Sequence, residues 1–287
     1  MRDKESTLTI IIPVYNEEKS IAKVLKEISS LDFERSKEII VVDDGSTDNT
    51  RAFIKDANSK IIHHDFNKGY GASIKSGIRA ASGDVIAVID ADGQHNPRDI
   101  IKLLKELNGY DMVVGARSRE SHKVLWRQPG RMLIGWVAGS LSRTHIPDIN
   151  SGLRIFKKDV VSKYLHLLPN GFSLSTTITV ALLKDGYNIN YVPIKVNKRQ
   201  GKSTLRFFDG FRVLLSIIRL IMIFSPLRIF IPASLSVLMV GGYLMVVDMI
   251  NLNIQDITIL VILAGMLIFF FGLIVDQIAH IRRELKQ

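Results

Sequence analysis

Two groups of acidic residues have the spacing of a metal site. Asp43 and Asp44 come directly after one apolar run, and Asp90 and Asp92 follow another, with Gln94 two residues further on. Ligands of open α/β sheets bind at the carboxyl ends of the strands. Because alternate residues of an extended segment face the same way, Asp90, Asp92 and Gln94 could present three oxygens, which suits Mg²⁺ or Mn²⁺. One pair alone would fit a turn or a helix cap, but two pairs at equivalent strand ends favour a site.

These groups lie where strand and helix signals alternate over the first 116 residues. Helical apolar spacing follows Glu17 and Glu18, which we place in the first turn of a helix, and it recurs after Pro97. Continuous apolar runs predict strands buried on both faces: Leu8–Val14, Glu38–Val42, Lys60–Ile62, Val85–Ile89 and Met112–Gly115, with a further extended run at Tyr191–Val196. The alternation with short connections predicts an α/β fold with a mostly parallel, doubly wound sheet.

The C-terminal part of the chain has the composition of a membrane anchor. Ile229–Val247 and Ile257–Val275 each contain 19 residues without a charge, and a bilayer core needs about 20 apolar residues per helix. Before them, Leu205–Phe224 has an amphipathic helical pattern that is typical of a helix in the membrane interface. We therefore predict an interfacial helix followed by a two-helix transmembrane hairpin, and we favour this over a purely soluble protein.

Basic residues flank the two predicted spans but are absent from the loop between them, Asn251–Asp256. The positive-inside rule then places both ends of the hairpin in the cytoplasm. The flanking residues are Arg206, Arg212, Arg219 and Arg228 before the first span, and Arg282, Arg283 and Lys286 after the second. In the first span, Gly241-Gly242 is compatible with helix packing, including in a homo-oligomer, or with simple flexibility.

Composition narrows the function classes further. The chain has 287 residues, a formal net charge of +10 and no cysteine, which excludes disulfides, thiolate zinc sites and cysteine nucleophiles. The positive charge fits nucleic acid, anionic lipid or a phosphate substrate, but no nucleic-acid partner is expected because the aromatic residues are not interleaved with the basic ones. Gly69-Tyr70-Gly71 lacks the third glycine of a dinucleotide fold, and Gly201-Lys202-Ser203 lacks the first glycine of a P-loop.

Three segments together carry a resemblance to a known family. Ile11–Glu18 reads IIPVYNEE, Val42–Asp48 reads VDDGSTD, and Asp90–His95 reads DADGQH. With Lys68-Gly69 and Gly115-Ala116-Arg117, they resemble glycosyltransferase family 2, which has the Rossmann-like GT-A fold, and within it the polyprenyl-phosphate glycosyltransferases. The resemblance covers about residues 7–205, and the two-helix tail also looks like members of that subgroup.

The resemblance implies roles for individual residues. Those expected in the nucleotide pocket are Pro13, Tyr15, Glu17, Asp43, Asp44, Lys68 and Ala91. Asp90, Asp92 and Gln94 are expected to hold the divalent metal that bridges the donor diphosphate, with Asp92 also counted as catalytic. Arg117, Arg131 and Ser151 resemble positions near the acceptor phosphate, Arg117 and Arg131 being counted as catalytic. Arg199, Gly201 and Ser203 match an Arg-x-Gly-x-Ser stretch that closes over the diphosphate, where Lys202 precedes the serine instead of a lysine following it.

The nature of the acceptor follows from a missing residue. Many relatives that glycosylate a hydroxyl use a carboxylate base in the segment equivalent to Phe172–Ala181, which here contains none. A phosphate monoester, with a second pKa of about 6, is mostly dianionic at pH 7 and needs no general base. The Gln-x-x-Arg-Trp motif of processive polysaccharide synthases is also absent. These observations favour a lipid-phosphate acceptor.

We therefore expect inverting, metal-dependent transfer of one sugar from a nucleotide sugar, GDP-mannose or UDP-glucose before others, to a polyisoprenyl phosphate. The enzyme is expected to be a multi-pass protein of the cell (or ER-type) membrane, with its catalytic domain on the cytoplasmic side of the bilayer. The expected domains are 1–204 (GT-A), 205–228 (juxtamembrane helix), 229–279 (hairpin, about 229–250 and 257–279) and 280–287 (basic tail). Two alternatives remain open: transfer to a sugar hydroxyl in surface polysaccharide assembly, and a non-catalytic, membrane-anchored nucleotide-sugar-binding scaffold.

Overall fold

The computed structural model describes residues 7–55, 58–118, 146–197 and 209–284. The chain divides into two compact units, Met1–Gly210 and Phe211–Gln287. The first unit holds the acidic groups and the strands, and the second holds the predicted hairpin.

A seven-stranded sheet in the order β3-β2-β1-β4-β6-β5-β7 forms the centre of the first unit. The strands are β1 (Leu8–Val14), β2 (Lys37–Asp43), β3 (Lys60–His63), β4 (Val85–Val88), β5 (Met112–Arg117), β6 (Arg154–Lys157) and β7 (Ile189–Ile194). All seven residues of β1 are buried, because β1 lies between two parallel neighbours, β2 and β4. Among the described strands, β6 alone runs antiparallel to its neighbours, β4 and β5. The predicted α/β fold with a mostly parallel sheet is confirmed.

Helices connect these strands. In the described part of the first unit they are α1 (Ile21–Ser30), α2 (Thr50–Lys55), α3 (Tyr70–Ala80), α4 (Asp99–Lys105), α5 (Lys158–Ser162) and α6 (Leu174–Lys184). The prediction that Glu17 and Glu18 occupy the first turn of α1 was wrong, because the helix begins at Ile21 with no acidic residue in that turn. The Glu17 amide instead donates to the Thr50 hydroxyl (2.9 Å), which ties the loop after β1 to the start of α2.

Strand β6 was not predicted, and it links the two halves of the sheet. Arg154 is the register partner of Val88 on β4 and also of Val114 on β5. The strands that end near Asp90 and Arg117 are therefore separated by the width of β6 alone. The residues just before β6 lie between those two ends, where ligands of such sheets bind.

Helix α7 (Asp209–Phe224) begins at the boundary of the two units, and the second unit contains the rest of it with α8 (Leu227–Ile250) and α9 (Asp256–Glu284). Among the described residues, α8 and α9 are the two helices long and apolar enough to cross a membrane, and they contain both predicted spans. Gly241 lies against Ile262 of α9, whereas a side chain at Gly242 would meet open space. Gly241 therefore allows close packing within the hairpin, as small residues do in membrane helix pairs. Asp248 closes the connection by accepting hydrogen bonds from the Gln255 amide (3.0 Å) and the Thr258 hydroxyl (2.6 Å).

Candidate active site

Asp43, at the carboxyl end of β2, is fully buried and bound by three donors. Its carboxylate accepts from Arg51 Nε (2.7 Å) and the Ser46 amide (2.9 Å), and it lies 3.1 Å from His63 Nδ1. Burial alone would raise the pKa of Asp43, but the hydrogen bonds from Ser46, Arg51 and His63 outweigh it and hold the pKa below its usual value. Asp43 is therefore a fixed anion at the edge of the sheet.

Asp44 organises the next loop. Its two oxygens accept from the backbone amides of Lys68 (2.9 Å) and Gly69 (2.8 Å), and His64 Nδ1 lies 2.7 Å from Oδ1. His64 Nε2 in turn lies 2.9 Å from the Ser76 hydroxyl on α3. Asp44 thus anchors the loop that carries Lys68 and leads into α3, with Gly69 in a left-handed conformation (φ 103°).

We predict that Asp44→Ala lowers the free energy of unfolding by about 1–3 kcal/mol, because two backbone amides and His64 lose their acceptor. Thermal unfolding of the full chain in detergent micelles would measure the loss. The matched control is Asp65→Ala, since Asp65 is exposed in the same loop. Equal melting temperatures for the two variants would contradict the anchoring role.

The loop after β1 completes this side of the site. Pro13 is buried within β1, while Tyr15 is 39% exposed beyond the strand end. Glu17 is buried and accepts from the Ser20 hydroxyl at 3.1 Å. Asn16, which sequence reasoning passed over, binds the Thr47 amide through Oδ1 (2.8 Å) at a φ of 55°. The position of Asn16 within the Val-Tyr-Asn-Glu-Glu run could have identified it from the sequence. Its hydrogen bond links the loop after β1 to the loop after β2.

The second acidic group lies on a turn. The expectation that Asp90, Asp92 and Gln94 alternate along an extended segment was wrong, because the chain turns after Asp90 and Gly93 has a φ of 71°. The Asp92 carboxylate accepts from the Gln94 amide (3.0 Å). Gln94 Nε2 donates to the Asn197 carbonyl (3.3 Å), a bond that uses the amide nitrogen and not the oxygen a cation would need. Ala91, between the two aspartates, is buried.

Asp90 accepts a hydrogen bond from Tyr70 and lies close to His95 and Gly152. Tyr70 donates its hydroxyl proton to Oδ1 (2.9 Å), and His95 Nε2 lies 3.9 Å from Oδ2. Gly152 leaves the room for this carboxylate, since a Cβ at that position would overlap Oδ2. Burial, together with the charge of Asp90, raises the pKa of Tyr70 well above its usual value. Burial lowers the pKa of His95 to about 4, so its ring is neutral at pH 7.

A divalent cation fits this turn if a ligand supplies further oxygens. Within the described segments, no cluster of three or more His, Cys, Asp or Glu side chains is placed to hold a metal. Two carboxylates and one amide oxygen form half of an octahedral shell, and Mg²⁺ and Mn²⁺ commonly complete theirs with phosphate oxygens and water. The donor set of Asp90, Asp92 and Gln94 is therefore suited to a cation that is shared with a bound phosphate.

Arg117 lies across β6 from the acidic turn, at the end of β5. Its guanidinium is partly exposed, with Nε 3.4 Å from Asp148 Oδ2 and Nη2 3.5 Å from the Asn150 carbonyl. Ser151 is fully buried, and its hydroxyl accepts from the Leu153 amide (3.3 Å) within its own turn. The Arg117 side chain is thus partly exposed at this end of the sheet, whereas Ser151 is buried. Four predicted site residues, Arg131, Arg199, Lys202 and Ser203, lie outside the described residues.

Arg154 is a buried cation that sequence reasoning missed. It donates to the carbonyls of Ser151 (2.7 Å from Nη2) and Ser175 (3.1 Å from Nη1), with Thr179 Oγ1 at 3.4 Å. Burial lowers its pKa, while the nearby charge of Asp90 acts in the opposite direction. Arg154 thereby joins the turn before β6 to helix α6. The available signal was a single arginine inside an otherwise apolar run.

Comparison with known proteins agrees with this geometry. Residues 9–165 match the family described as Glycosyl transferase family 2, and residues 225–281 match the GtrB C-terminal hairpin. The chain therefore belongs to glycosyltransferase family 2, and it is a glycosyltransferase with a two-helix C-terminal hairpin.

Several relatives resemble the chain over much of its length. An uncharacterized protein of Methanocaldococcus jannaschii is 30% identical over 73% of this chain and 90% of its own. The UDP-N-acetylglucosamine–dolichyl-phosphate N-acetylglucosaminyltransferase of Methanococcus voltae is 31% identical over 68% of this chain and 86% of its own. An undecaprenyl-phosphate 4-deoxy-4-formamido-L-arabinose transferase of Pseudomonas fluorescens is 31% identical, over 59% of this chain and 55% of its own.

A solved structure confirms the GT-A fold. Glucosyl-3-phosphoglycerate synthase of Mycobacterium tuberculosis, in a complex with Mn²⁺, UDP and its product, superposes with a TM-score of 0.60. The match covers 75% of this chain and 79% of that one at 20% identity. At this identity the likeness establishes the fold alone.

Proposed function

We propose that this glycosyltransferase transfers a single sugar from a nucleotide sugar to a polyprenyl phosphate, with inversion at the anomeric carbon. The observation that carries the proposal is the placement of the anionic turn at Asp90 and Asp92 beside the cationic Arg117, with β6 alone between their strands. A metal-bound diphosphate would occupy the first, and an acceptor phosphate the second. The names of the Methanococcus and Pseudomonas relatives, both transferases to polyprenyl phosphates, support this acceptor class.

On the donor side, Asp90, Asp92 and Gln94 would hold a divalent cation against the donor diphosphate. When bound, Mg²⁺ or Mn²⁺ neutralises the negative charge that develops on the leaving diphosphate. Tyr70 and Gly152 hold the Asp90 carboxylate in position. The mycobacterial synthase, which shares the fold, was solved with Mn²⁺ and UDP, and this supports a divalent cation and a nucleotide as ligands. The pocket roles of Asp43, Asp44 and Lys68 remain predictions.

On the acceptor side, Arg117 would pair with the phosphate of the incoming lipid. A phosphate oxygen attacks C1 of the sugar as the bond from C1 to the diphosphate oxygen breaks, which inverts the configuration at C1. The attacking oxygen is already anionic, so no proton has to be removed. Helix α6, which reads LSTTITVALLK, accordingly carries no acidic residue.

We further propose that α8 and α9 span the membrane with both hairpin ends on the cytoplasmic side. The distribution of basic residues around the spans supports this orientation, and the mean hydropathy values of the two helices, 2.0 and 2.9, support their insertion. We also propose domain limits at residues 204, 228 and 279, and a homo-oligomeric state.

The experiment that tests this function uses the full chain in detergent micelles with Mn²⁺ and a polyprenyl phosphate. Each of GDP-mannose, UDP-glucose and other UDP-sugars is supplied in turn, and labelled lipid is extracted and counted. One donor class should yield labelled lipid and should also stabilise the protein in a thermal-shift assay. Donor binding without labelled lipid would overturn the proposed acceptor and would favour a sugar hydroxyl acceptor or a scaffold.

We predict that Asp92→Ala lowers turnover about a hundredfold or more, because a ligand to the charge-neutralising cation is lost. Chelation of divalent ions should lower the turnover of the unaltered chain to a similar extent, and added Mn²⁺ should restore that turnover. The control is Asp65→Ala, which should keep full activity. Near-normal turnover of Asp92→Ala at saturating Mn²⁺ would show that the assigned metal role is wrong.

A further inference from the structure

Phe172 is the most exposed aromatic side chain in the described part of the first unit, at 77%. Its ring is stacked on the ring of Tyr70, with centroids 5.4 Å apart and planes at 18°. Exposing a phenylalanine forgoes most of the free energy that its burial would contribute. One face of the ring thus packs against Tyr70, and most of the side chain remains accessible to a ligand.

The loop that carries Phe172 is held against the start of α3. The Ala72 amide donates to the Asn170 carbonyl (3.1 Å), and Lys75 Nζ donates to the Leu168 carbonyl (3.0 Å) and to Asn170 Oδ1. Gly69 permits this contact, because a Cβ there would lie 2.5 Å from the Asn170 carbonyl oxygen. The position of Phe172 therefore follows from bonds on both sides of it.

Contacts lead from Phe172 to both halves of the proposed site. Through Tyr70 it is one hydrogen bond from the Asp90 carboxylate. Four residues after Phe172, the Thr176 hydroxyl donates to Asn150 Oδ1 (3.0 Å), and the Asn150 carbonyl lies 3.5 Å from Arg117 Nη2. Phe172 is thus connected by contacts both to the carboxylate proposed to hold the metal and to the cation proposed for the acceptor phosphate.

Three polar side chains near Phe172 in the chain are engaged in hydrogen bonds within the protein. Asn170 Oδ1 binds Lys75, the Thr176 hydroxyl binds Asn150, and the Thr177 hydroxyl donates to the Ser173 carbonyl (2.9 Å). A sugar ring stacked on Phe172 would need hydrogen-bonding partners for its hydroxyls, whereas an isoprene unit presents only carbon and hydrogen. The surroundings of the ring favour the hydrocarbon.

We infer that Phe172, supported by Tyr70, binds the first isoprene units of the acceptor, immediately beyond the phosphate that Arg117 receives. This inference rests on the proposed function and adds to it a residue that recognises the hydrocarbon part of the substrate. The contact orients the acceptor phosphate towards the donor carbon and distinguishes a prenyl phosphate from a small polar phosphate.

The test compares Phe172→Ala and Phe172→Leu with the unaltered chain in detergent micelles, using farnesyl phosphate and a long-chain polyprenyl phosphate as acceptors. Phe172→Ala should raise the acceptor KM about tenfold for both acceptors, since the lost contact is with the units nearest the phosphate. The donor KM should not change. Phe172→Leu should recover most of the loss, because an aliphatic side chain still packs against isoprene.

The matched control is Phe53→Ala, which removes a half-exposed phenylalanine from α2 and should leave both KM values unchanged. Acceptor KM values of Phe172→Ala equal to those of the control would overturn the inference and leave the proposed function standing. A rise in the donor KM alone would overturn it too, since the ring would then contact the sugar. Failure of the unaltered chain to glycosylate either lipid would overturn the proposed function itself.

Discussion

Gly152→Ala will reduce turnover about a hundredfold or more while the protein remains folded. A methyl group at residue 152 would overlap Oδ2 of Asp90, so the carboxylate must leave its place. It would then lose the Tyr70 hydrogen bond at Oδ1 and its proposed position as a metal ligand. Removing one preorganised group that stabilises transition-state charge costs about 10²–10³ in kcat, and we expect a similar loss when the carboxylate is displaced. Steady-state turnover at saturating Mn²⁺ and donor measures the effect.

Two further variants separate this effect from general damage. Asp90→Ala should lose as much turnover as Gly152→Ala, and the double variant should lose no more than either, because the two changes remove the same interaction. Gly242→Ala places a methyl group in open space on α8 and should keep full activity. Additive losses for the first two changes, or unchanged turnover of Gly152→Ala, would show that Gly152 does not act through Asp90.

Arg154→Met will be the most destabilising substitution that we predict, lowering the free energy of unfolding by about 3 kcal/mol or more. The methionine fills much of the space, but the buried carbonyls of Ser151 and Ser175 lose their donor, and each unsatisfied group costs about 1–3 kcal/mol. For a unit of this size the melting temperature should fall by roughly 2–4 °C per kcal/mol. Thermal unfolding in detergent micelles gives the value.

Arg154→Lys keeps the charge but cannot reach the carbonyls of two separate segments at once, so it should recover only part of the loss. Lys157→Met is the control on the same strand. Lys157 pairs with Asp111 at 2.9 Å at a partly exposed position, where an ion pair contributes about 0–1 kcal/mol. A smaller loss for Arg154→Met than for Lys157→Met would contradict the bracing role of Arg154.

The parts of the fold that could be predicted are those with strong local signals. Strand β1 is a continuous apolar run, and its predicted and observed limits are the same, Leu8–Val14. The spans in α8 and α9 were visible because their length and apolar composition are dictated by a bilayer. Strand β6 was missed because it has four residues and begins with an arginine. Its antiparallel direction depends on partners distant in sequence.

The same division applies to the site. The carboxylates of Asp90 and Asp92 were predicted because acidic pairs that follow apolar runs at two equivalent strand ends are typical of a ligand-binding edge. Their arrangement was not, because a left-handed Gly93 turns a segment that alternation would have kept extended. No local sequence pattern predicts a role for Gly152 or Phe172. Each is singled out by a contact with a residue distant in the chain, Asp90 for Gly152 and Tyr70 for Phe172.

Strand β6 also has a consequence for how such an enzyme can diversify. Since β4 and β5 both pair with β6, the strands leading to the two charged groups are two inter-strand spacings apart, roughly 10 Å. That spacing is set by the backbone hydrogen bonds of the sheet, so under the proposed function the strand ends that lead to Asp90 and to Arg117 keep the same separation whichever sugar is carried. Specificity for the sugar can then change in the loops above the sheet without moving those strand ends.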